Sequence, residues 1–490
     1  VHRIEQFCFT ICDNAMFFRQ VYEKGLAHAS YVIGCQASQT AAVIDPQRDI
    51  DVYLQIAEQE KIRITHVLET HIHADFLSGS RELQQATGAE LYLSDEGGPS
   101  WQYHFPHVGL HDGDTFMVGN IKFEVWHTPG HTPEHISFLV TDTPASSKPI
   151  MFFSGDFVFV GDVGRPDLLE KAAGQVGTME IGARQLFQSL QRFKHLPDYV
   201  QVHPAHGAGS ACGKALGAIP HSTVGYEKLT NWALQFDDED AFVKALLEGQ
   251  PEPPRYFAMM KKLNKEPRPV LPNGAVPLPA RLSGDQLEQL RAAGTLIVDT
   301  RDKVAFAGGH IPGSVNIQNN NAFSTWAGWI IPYDKPFVLV TPPEQIEQVM
   351  RKLLRIGLDH IAGYLPDCNM WASNGRELVT LPQMSVHELA ERIGSPDLVV
   401  LDVRNKSEYD AGHIEGALHV FAGYLEDNLD RIPRDRTLAV HCAGGDRSSI
   451  ATSLLHRYNF TYAVNVPGGI NAWIAAGYPI TEHTAAPAKI

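Results

Sequence analysis

The stretch Thr70-His71-Ile72-His73-Ala74-Asp75-Phe76 constrains this chain more than any other. It follows an apolar, strand-like run from Ile64 to Leu68 and leads into a helix predicted to begin near Ser78. Two histidines and an aspartate at alternate positions of a strand-end loop can point into one pocket. Neutral imidazole and carboxylate are the usual protein ligands of first-row metals, so the spacing predicts a metal site. A fold that serves it must bring further ligands to the same strand ends.

The chain supplies such ligands in order. Short strands are predicted at Tyr31–Ile33, Ala41–Ile44, Ala89–Leu93, Phe116–Val118 and Ile121–Trp126, with helical periodicity over Asp51–Lys61. The strand ending at Trp126 runs into Thr128-Pro129-Gly130-His131-Thr132-Pro133, where prolines and glycine fix the turn and present His131. Met151-Phe152-Phe153 delivers Ser154-Gly155-Asp156, and Tyr199–Val202 delivers His203-Pro204-Ala205-His206-Gly207. Any one of these loops alone is weak evidence. Four in succession, each after a strand, is a strong composite pattern.

The pattern resembles the His-x-His-x-Asp-His motif of the metallo-β-lactamase superfamily over residues 16 to about 230, with Phe76 where the motif ends in histidine. The resemblance implies two β-sheets sandwiched between helices. Within the superfamily, Thr70–Asp75, Pro129–Pro133, Ser154–Asp156 and Gly164-Arg165-Pro166-Asp167 resemble persulfide dioxygenases. That resemblance implies one Fe(II), with zinc able to replace it in recombinant protein, held by His71, His131 and Asp156. Two histidines and one carboxylate leave positions open for O₂ and substrate. A dinuclear zinc site needs more ligands, and Phe76 removes one. Asp75 and His206 are then expected to orient ligands or waters; His73 stays open between a fourth ligand and a neighbour. Arg165 matches the family position that binds the carboxylate end of a thiol-peptide persulfide, and its planar fork suits a carboxylate. Cys212, in the small-residue run Gly207–Gly213, is read as a relay or substrate-handling thiol, with a buried structural cysteine as the alternative.

Totals set the frame. A chain of 490 residues suggests roughly three domains. A net charge of −16 argues against nucleic acid or an anionic membrane as the main partner. No apolar run approaches the roughly 20 residues of a bilayer span. Val1–Ala15 carries no signal-peptide pattern and reads as a leader or remnant before Met16. Six cysteines, at 8, 12, 35, 212, 368 and 442, without a Cys-x-x-Cys pair, point to a reducing, cytoplasmic setting with free thiols. Residues 221–267 are predicted mostly helical, broken at Pro251–Pro254, and cap the first domain, taken as 16–270. Prolines 267, 269, 272, 277 and 279 predict a stiff linker.

An internal repeat follows. Leu296–Arg301 corresponds to Val399–Arg404, Gly309–Gly313 to Gly412–Gly416, and Trp371 and Gly375 to Trp473 and Gly477. In each copy an apolar strand ends at Asp-x-Arg and strands alternate with helices, which predicts two small α/β domains with parallel sheets over 271–380 and 381–484, before a tail at 485–490. Both copies resemble rhodanese domains, with Asp299 and Asp402 organising loops. In the second copy, His441 leads into Cys442-Ala443-Gly444-Gly445-Asp446-Arg447-Ser448 and then a helix. A glycine-rich loop at a helix N-terminus turns N–H groups inward, with Gly444 and Gly445 in the cradle. Cys442 is expected to be the thiolate nucleophile and Arg447 to meet an oxyanion such as sulfite or thiosulfate. In the first copy, Thr341-Pro342-Pro343-Glu344 has no thiol and lacks two N–H donors, so that copy is expected to be inactive.

The expected whole is a multidomain α/β enzyme that oxidises a low-molecular-weight thiol persulfide with O₂ to sulfite and moves sulfane sulfur through Cys442, forming or using thiosulfate. No nucleic acid or membrane partner is expected, and a homo-oligomer stays open. A dinuclear zinc thioester hydrolase of the glyoxalase II kind and a non-enzymatic sulfur sensor are the rival readings.

Overall fold

The computed structural model describes residues 16–168, 170, 177–214, 216–250 and 252–482. The predicted leader 1–15, with Cys8 and Cys12, the tail 485–490 and Pro251 lie outside the described residues. The chain divides into two compact units at Val276/Pro277.

The first unit holds two six-stranded sheets. One runs in chain order through β1 (Met16–Glu23), β2 (His28–Cys35), β3 (Thr40–Ile44), β4 (Arg63–Leu68), β5 (Glu90–Ser94) and β6 (Val108–Leu110). The other is ordered β12 (Ser222–Thr223), β11 (Gln201–Pro204), β10 (Met151–Gly155), β9 (Ile136–Asp142), β8 (Ile121–His127), β7 (Thr115–Val118). Side chains alternate along each strand, so the central strands bury one set of side chains on each face of the sheet. Tyr31, Ile33, Ala42 and Ile44 meet Phe123, Val125, Phe138 and Phe153 between the sheets. Val32, Ala41 and Val43 face outward onto the helix Asp51–Glu60 through Tyr53 and Ile56 and the helix Ser80–Thr87 through Leu83. Trp126, Leu139 and Phe152 pack on the helix Thr178–Phe193 through Leu186, Leu190 and Phe193. Helix, sheet, sheet, helix is the expected αββα sandwich. Because β3 is covered on both sides, it reads as a continuous apolar run over Ala41–Ile44.

The predicted cap is three helices, Val224–Thr230, Glu239–Leu247 and Phe257–Lys265. The proline-rich stretch after it is partly packed onto this unit: Arg268 bonds both carboxylate oxygens of Glu82, at 2.6 and 2.8 Å, and Leu271 is buried. Its early part is an arm of the first unit rather than a spacer, because Arg268 finds a buried carboxylate there.

In the second unit each copy carries a parallel four-stranded sheet. The orders are β14 (Val315–Asn316), β13 (Leu296–Asp299), β15 (Phe337–Val340), β16 (Ile361–Leu365), and β18 (Leu418–His419), β17 (Leu398–Asp402), β19 (Thr437–His441), β20 (Ala463–Asn465). The Asp-x-Arg motifs serve identical structural ends. Arg301 bonds Asp299 Oδ2 at 2.6 Å and Gly309 O at 2.9 Å; Arg404 bonds Asp402 Oδ2 at 2.6 Å and Gly412 O at 2.7 Å. Each ties the strand end to the Gly-His-Ile turn, as the repeat predicted.

Candidate metal centre and sulfur-transfer loop

The centre is built at the ends of β4, β8 and β10. Asp45, just after β3, accepts the Thr70 N–H at 2.7 Å with Oδ1 and the Thr70 hydroxyl at 2.8 Å with Oδ2. That spends the hydroxyl proton, so Thr70 Oγ1 is the acceptor for His71 Nδ1 at 3.0 Å. His131 Nδ1 likewise donates to Arg165 O at 3.0 Å. Both rings therefore turn an unprotonated Nε2 away from their supports, the tautomer that binds a metal. The two Nε2 atoms converge on Asp156 Oδ2, at 3.8 Å from His71 and 3.5 Å from His131. His71 Nε2 and Asp156 Oδ2 are buried without a hydrogen-bond partner. Burial, with neighbouring charge from His73, holds His71 well below the usual histidine range, and burial lowers His131 too. Against the burial penalty, His206, His71 and His131 hold the Asp156 carboxyl well below the carboxylate range. Two neutral imidazoles and one carboxylate with orphaned donor atoms fit a divalent transition metal. One ligand atom from each of the three lies within 4.8 Å of the others.

The local backbone explains Asp156. Gly155 has φ 55°, and a Cβ there would lie 2.6 Å from both His135 Nε2 and Thr70 Oγ1. Only glycine lets the strand end pass so close to the metal loop. The Asp156 N–H donates to His135 Nε2 at 3.0 Å, while His135 Nδ1 meets Thr128 Oγ1 at 2.8 Å. His135 is thus a positioning residue that the sequence reading passed over. Its nearness to His131 in the chain was the available signal.

His73 is not brought into the triad. Its Nε2 sits 3.1 Å from Asp45 Oδ1 and 3.3 Å from Glu69 Oε2. Although burial works against the charge, Asp45 and Glu69 hold His73 well above the usual range. Phe76 is fully buried, its ring 3.9 Å from that of His28 and 4.3 Å from that of His73. It packs against imidazoles where the family motif would add another. His206 bridges two carboxylates, Nδ1 to Asp156 Oδ1 at 2.6 Å and Nε2 to Asp75 Oδ2 at 2.7 Å. Despite burial, Asp156 and Asp75 raise it to about 10. Asp75 and His206 thus stand beside the triad.

Arg165 departs from expectation. Its guanidinium is buried, gives two bonds to Asp167 at 2.7 and 2.6 Å, and another to Ala211 O at 3.3 Å. A planar fork accepts whichever carboxylate is nearest, and Asp167 lies two residues away. Arg165 here braces the metal loops: its carbonyl orients His131, and its N–H donates to Cys212 O at 3.1 Å. Cys212 is buried beside Asp75 and His206, and burial pushes its thiol up.

In the second unit Cys442 directly follows β19 and is buried. The Gly445 N–H donates to its Sγ at 3.1 Å, at the head of the helix Asp446–Arg457. Gly445 has φ 101°, and a Cβ there would meet Pro467 O at 2.1 Å, so the loop closes only with glycine. Gly444 O accepts from Lys303 Nζ of the first copy at 2.8 Å, and Lys303 also pairs with Asp446 Oδ1. Arg447 is paired with Glu408 Oε1 at 2.7 Å. Glu408 comes from the helix Lys406–Ala411, whose N-terminus it also caps through Asn405 N. A cavity of about 190 Å³ beside this loop is lined by Asp446, Arg447 and Ile450 and, from the first copy, by Asn320, Phe323 and Trp326. The first copy has no thiol in its own loop, and its Cys368 lies against Gly309 O at 4.0 Å, yet it walls the neighbouring cavity.

Comparison with known proteins agrees with this architecture. The metallo-beta-lactamase superfamily matches residues 24–243, and the rhodanese-like domain matches 283–366 and 385–476. A solved metallo-beta-lactamase from Staphylococcus aureus subsp. aureus COL is 44% identical, with TM-score 0.65, covering 72% of this chain and 98% of that one. The chain belongs to the metallo-β-lactamase superfamily, with two rhodanese-like domains after the metal-binding one. Within the superfamily it is homologous to the mitochondrial persulfide dioxygenase ETHE1 of Bos taurus, 28% identical over 238 residues, 47% of this chain and 80% of that protein. It is also 32% identical over 178 residues to the hydroxyacylglutathione hydrolase of Rhodospirillum rubrum, spanning 36% of this chain and 60% of the relative's length. No helix among the described residues is long and apolar enough to cross a membrane.

Proposed function

We propose that the first unit oxidises a low-molecular-weight thiol persulfide with O₂ to sulfite at a single Fe(II), and that the second unit moves sulfane sulfur through Cys442. The carrying observation is the triad of His71, His131 and Asp156, with each imidazole's Nδ1 already engaged and each Nε2 turned toward one carboxylate oxygen. Fe(II) bound there would supply a redox-active Lewis acid with open positions for O₂ and a soft sulfur. The chain's own residues hold it: Thr70 and Asp45 set His71, Arg165 O sets His131, and His135 with His206 sets Asp156. The overall change is RSSH + O₂ + H₂O to RSH and sulfurous acid, so the outer sulfur is oxidised and O₂ reduced.

At the second site the Gly445 N–H stabilises negative charge on Cys442 Sγ. A Cys442 persulfide gives its outer sulfur to sulfite: a new S–S bond forms, the cysteinyl S–S bond breaks, and thiosulfate, thiolate and a proton result. The reverse reaction charges Cys442 from thiosulfate. The homology to a persulfide dioxygenase and the two rhodanese-like matches support a sulfur substrate for both units. The test is oxygen-electrode uptake on glutathione and coenzyme A persulfides with iron-loaded protein, with sulfite and thiosulfate quantified. Iron-dependent O₂ uptake that leaves sulfite is expected. Thioester hydrolysis with two zinc ions per chain and no O₂ uptake would establish the hydrolase instead.

A further inference from the structure

The two copies in the second unit share a register that isolates one residue. In the second copy His419 pairs with Asp402 across the strands, and its Nε2 donates to Arg404 O at 2.8 Å. Asn316 holds the same place in the first copy, opposite Asp299. Its Nδ2 donates to Arg301 O at 2.9 Å and Asp299 O at 3.1 Å. The bond that closes each copy on itself is thus common to both. The amide adds an acceptor, and that acceptor serves the other copy. Asn316 Oδ1 receives the Ser449 hydroxyl at 2.8 Å, and Asn316 N–H donates to Ser453 Oγ at 3.1 Å. All three side chains are buried, so losing a partner leaves an unpaired polar group.

We propose that Asn316 is a positioning residue for sulfur transfer, setting the helix Asp446–Arg457 so that the Gly445 N–H meets Cys442 Sγ. Ser449 and Ser453 lie one turn apart on that helix, and Gly445 caps its N-terminus. Ser448, next to Ser449, serves the thiol instead: Cys442 Sγ donates to Ser448 Oγ at 3.6 Å, and Ser448 Oγ donates to Gly445 O at 3.2 Å. One turn of helix therefore carries the contact to the thiol and the contact to the first copy. The far end is held as well, since Arg457 donates to Gly294 O and Gly313 O at 3.0 Å each. Lys303 touches the loop itself, whereas Asn316 fixes the helix behind it. A hydrogen bond weakens steeply with angle, so a small rotation of the helix would take the Gly445 N–H off the sulfur. The copy without a thiol is in this way a working part of its neighbour's site. The proposal rests on the reading of Cys442 as sulfur carrier and adds the residue that aims its cradle.

The test is thiosulfate:cyanide sulfurtransferase kinetics on full-length protein, with thermal unfolding alongside. Ser449→Ala removes the bond between the copies and leaves Asn316 its bonds to Asp299 O and Arg301 O. Its kcat/KM should fall roughly fivefold at a temperature where the protein stays folded, the equivalent of one buried hydrogen bond. Asn316→Ala should fall at least as far, and the double variant no further than Asn316→Ala, because both act through one bond. Ser283→Ala is the control: it removes the cap on Gln286 N–H elsewhere in the first copy, and should lower Tm while keeping kcat/KM. Wild-type kcat/KM in folded Ser449→Ala, additive losses in the double variant, or an equal loss in Ser283→Ala would overturn the positioning role. Ser449→Ala decides alone if Asn316→Ala folds poorly. Wild-type protein that transfers no sulfur, or transfer that survives in Cys442→Ser, would instead strike the reading of Cys442 and the proposal with it.

Discussion

Asn264 offers the sharpest test of how the metal loop is held. It lies near the end of the helix Phe257–Lys265, 191 positions from His73 in sequence. Its Nδ2 donates to His73 O and Phe76 O, each at 2.8 Å, and its Oδ1 accepts from Ser78 N–H at 2.9 Å. One buried amide thus satisfies three main-chain groups of the histidine loop. Asn264→Ala leaves two carbonyls and one N–H unpaired. At about 1–3 kcal/mol per buried group, and with partial relaxation and non-additivity, the loss is roughly 3 kcal/mol. For a unit of this size that lowers Tm by roughly 6–12 °C. If about half of that energy is expressed only in the metal-competent loop, the metal Kd rises about tenfold. Asn264→Asp keeps the acceptor for Ser78 N–H but sets a carboxylate oxygen against two carbonyls. Its penalty should grow with pH, because burial and repulsion raise the introduced carboxyl's pKa in the folded state. The cost is absent below the unfolded value of about 4 and accrues above it. Chelator-competition titration and thermal unfolding of both variants are the assays. Wild-type Tm and metal affinity in Asn264→Ala, or an Asn264→Asp variant indifferent to pH, would refute the reasoning.

Three further outcomes are expected. Cys442→Ser should abolish thiosulfate:cyanide sulfurtransferase activity while leaving O₂ uptake by the first unit within about twofold, since the change exposes nothing and removes only the nucleophile. Lys303→Ala should leave stability within about 1 kcal/mol, because the pair with Asp446 is partly exposed. It should nevertheless raise the KM for thiosulfate several-fold by releasing Gly444 O, and an unchanged KM would deny the first copy a role at the second copy's loop. His203, stacked on Phe153 at 5.1 Å, is lowered to about 3 by burial. Its folded value lies below its unfolded one, so the unfolded state binds more protons between the two. Stability conferred by the neutral ring is complete above about pH 6.5 and falls by at most about 1.4 kcal/mol per pH unit below it. His203→Phe should flatten that slope in urea titrations between pH 4 and 7.

Legibility in the sequence followed the range of the interaction. The strand-end loops carrying His71, His131 and Asp156 were readable because each needs only a strand, a turn and a ligand within a few residues. The strand over Tyr31–Ile33 was readable, but its true extent, His28–Cys35, was hidden because Ala29, Ser30 and Gly34 give no apolar signal although all are buried. Asp45 was visible as the end of β3 and invisible as the residue that sets the His71 tautomer, since its partner Thr70 lies 25 positions on. Asn264 and Lys303 were beyond reach for the same reason. Arg165 and Arg447 were legible in type but not in partner. An arginine in a motif announces a carboxylate or oxyanion partner without saying which, and here Asp167 and Glu408 take the guanidinium.

Phe76 shows the limit of local reading most clearly. Read within its own loop, the missing histidine subtracts a ligand and argues for one metal. Candidate ligands at a strand-end site come from every loop that reaches that edge of the sandwich, so the motif alone does not list them. His73, adjacent in sequence to the triad, is drawn off by Asp45 and Glu69, while Cys212, remote in sequence, arrives beside Asp75 and His206. Which side chains at that edge face an ion is therefore set by which of them the buried carboxylates capture. Counting letters in the motif does not measure that.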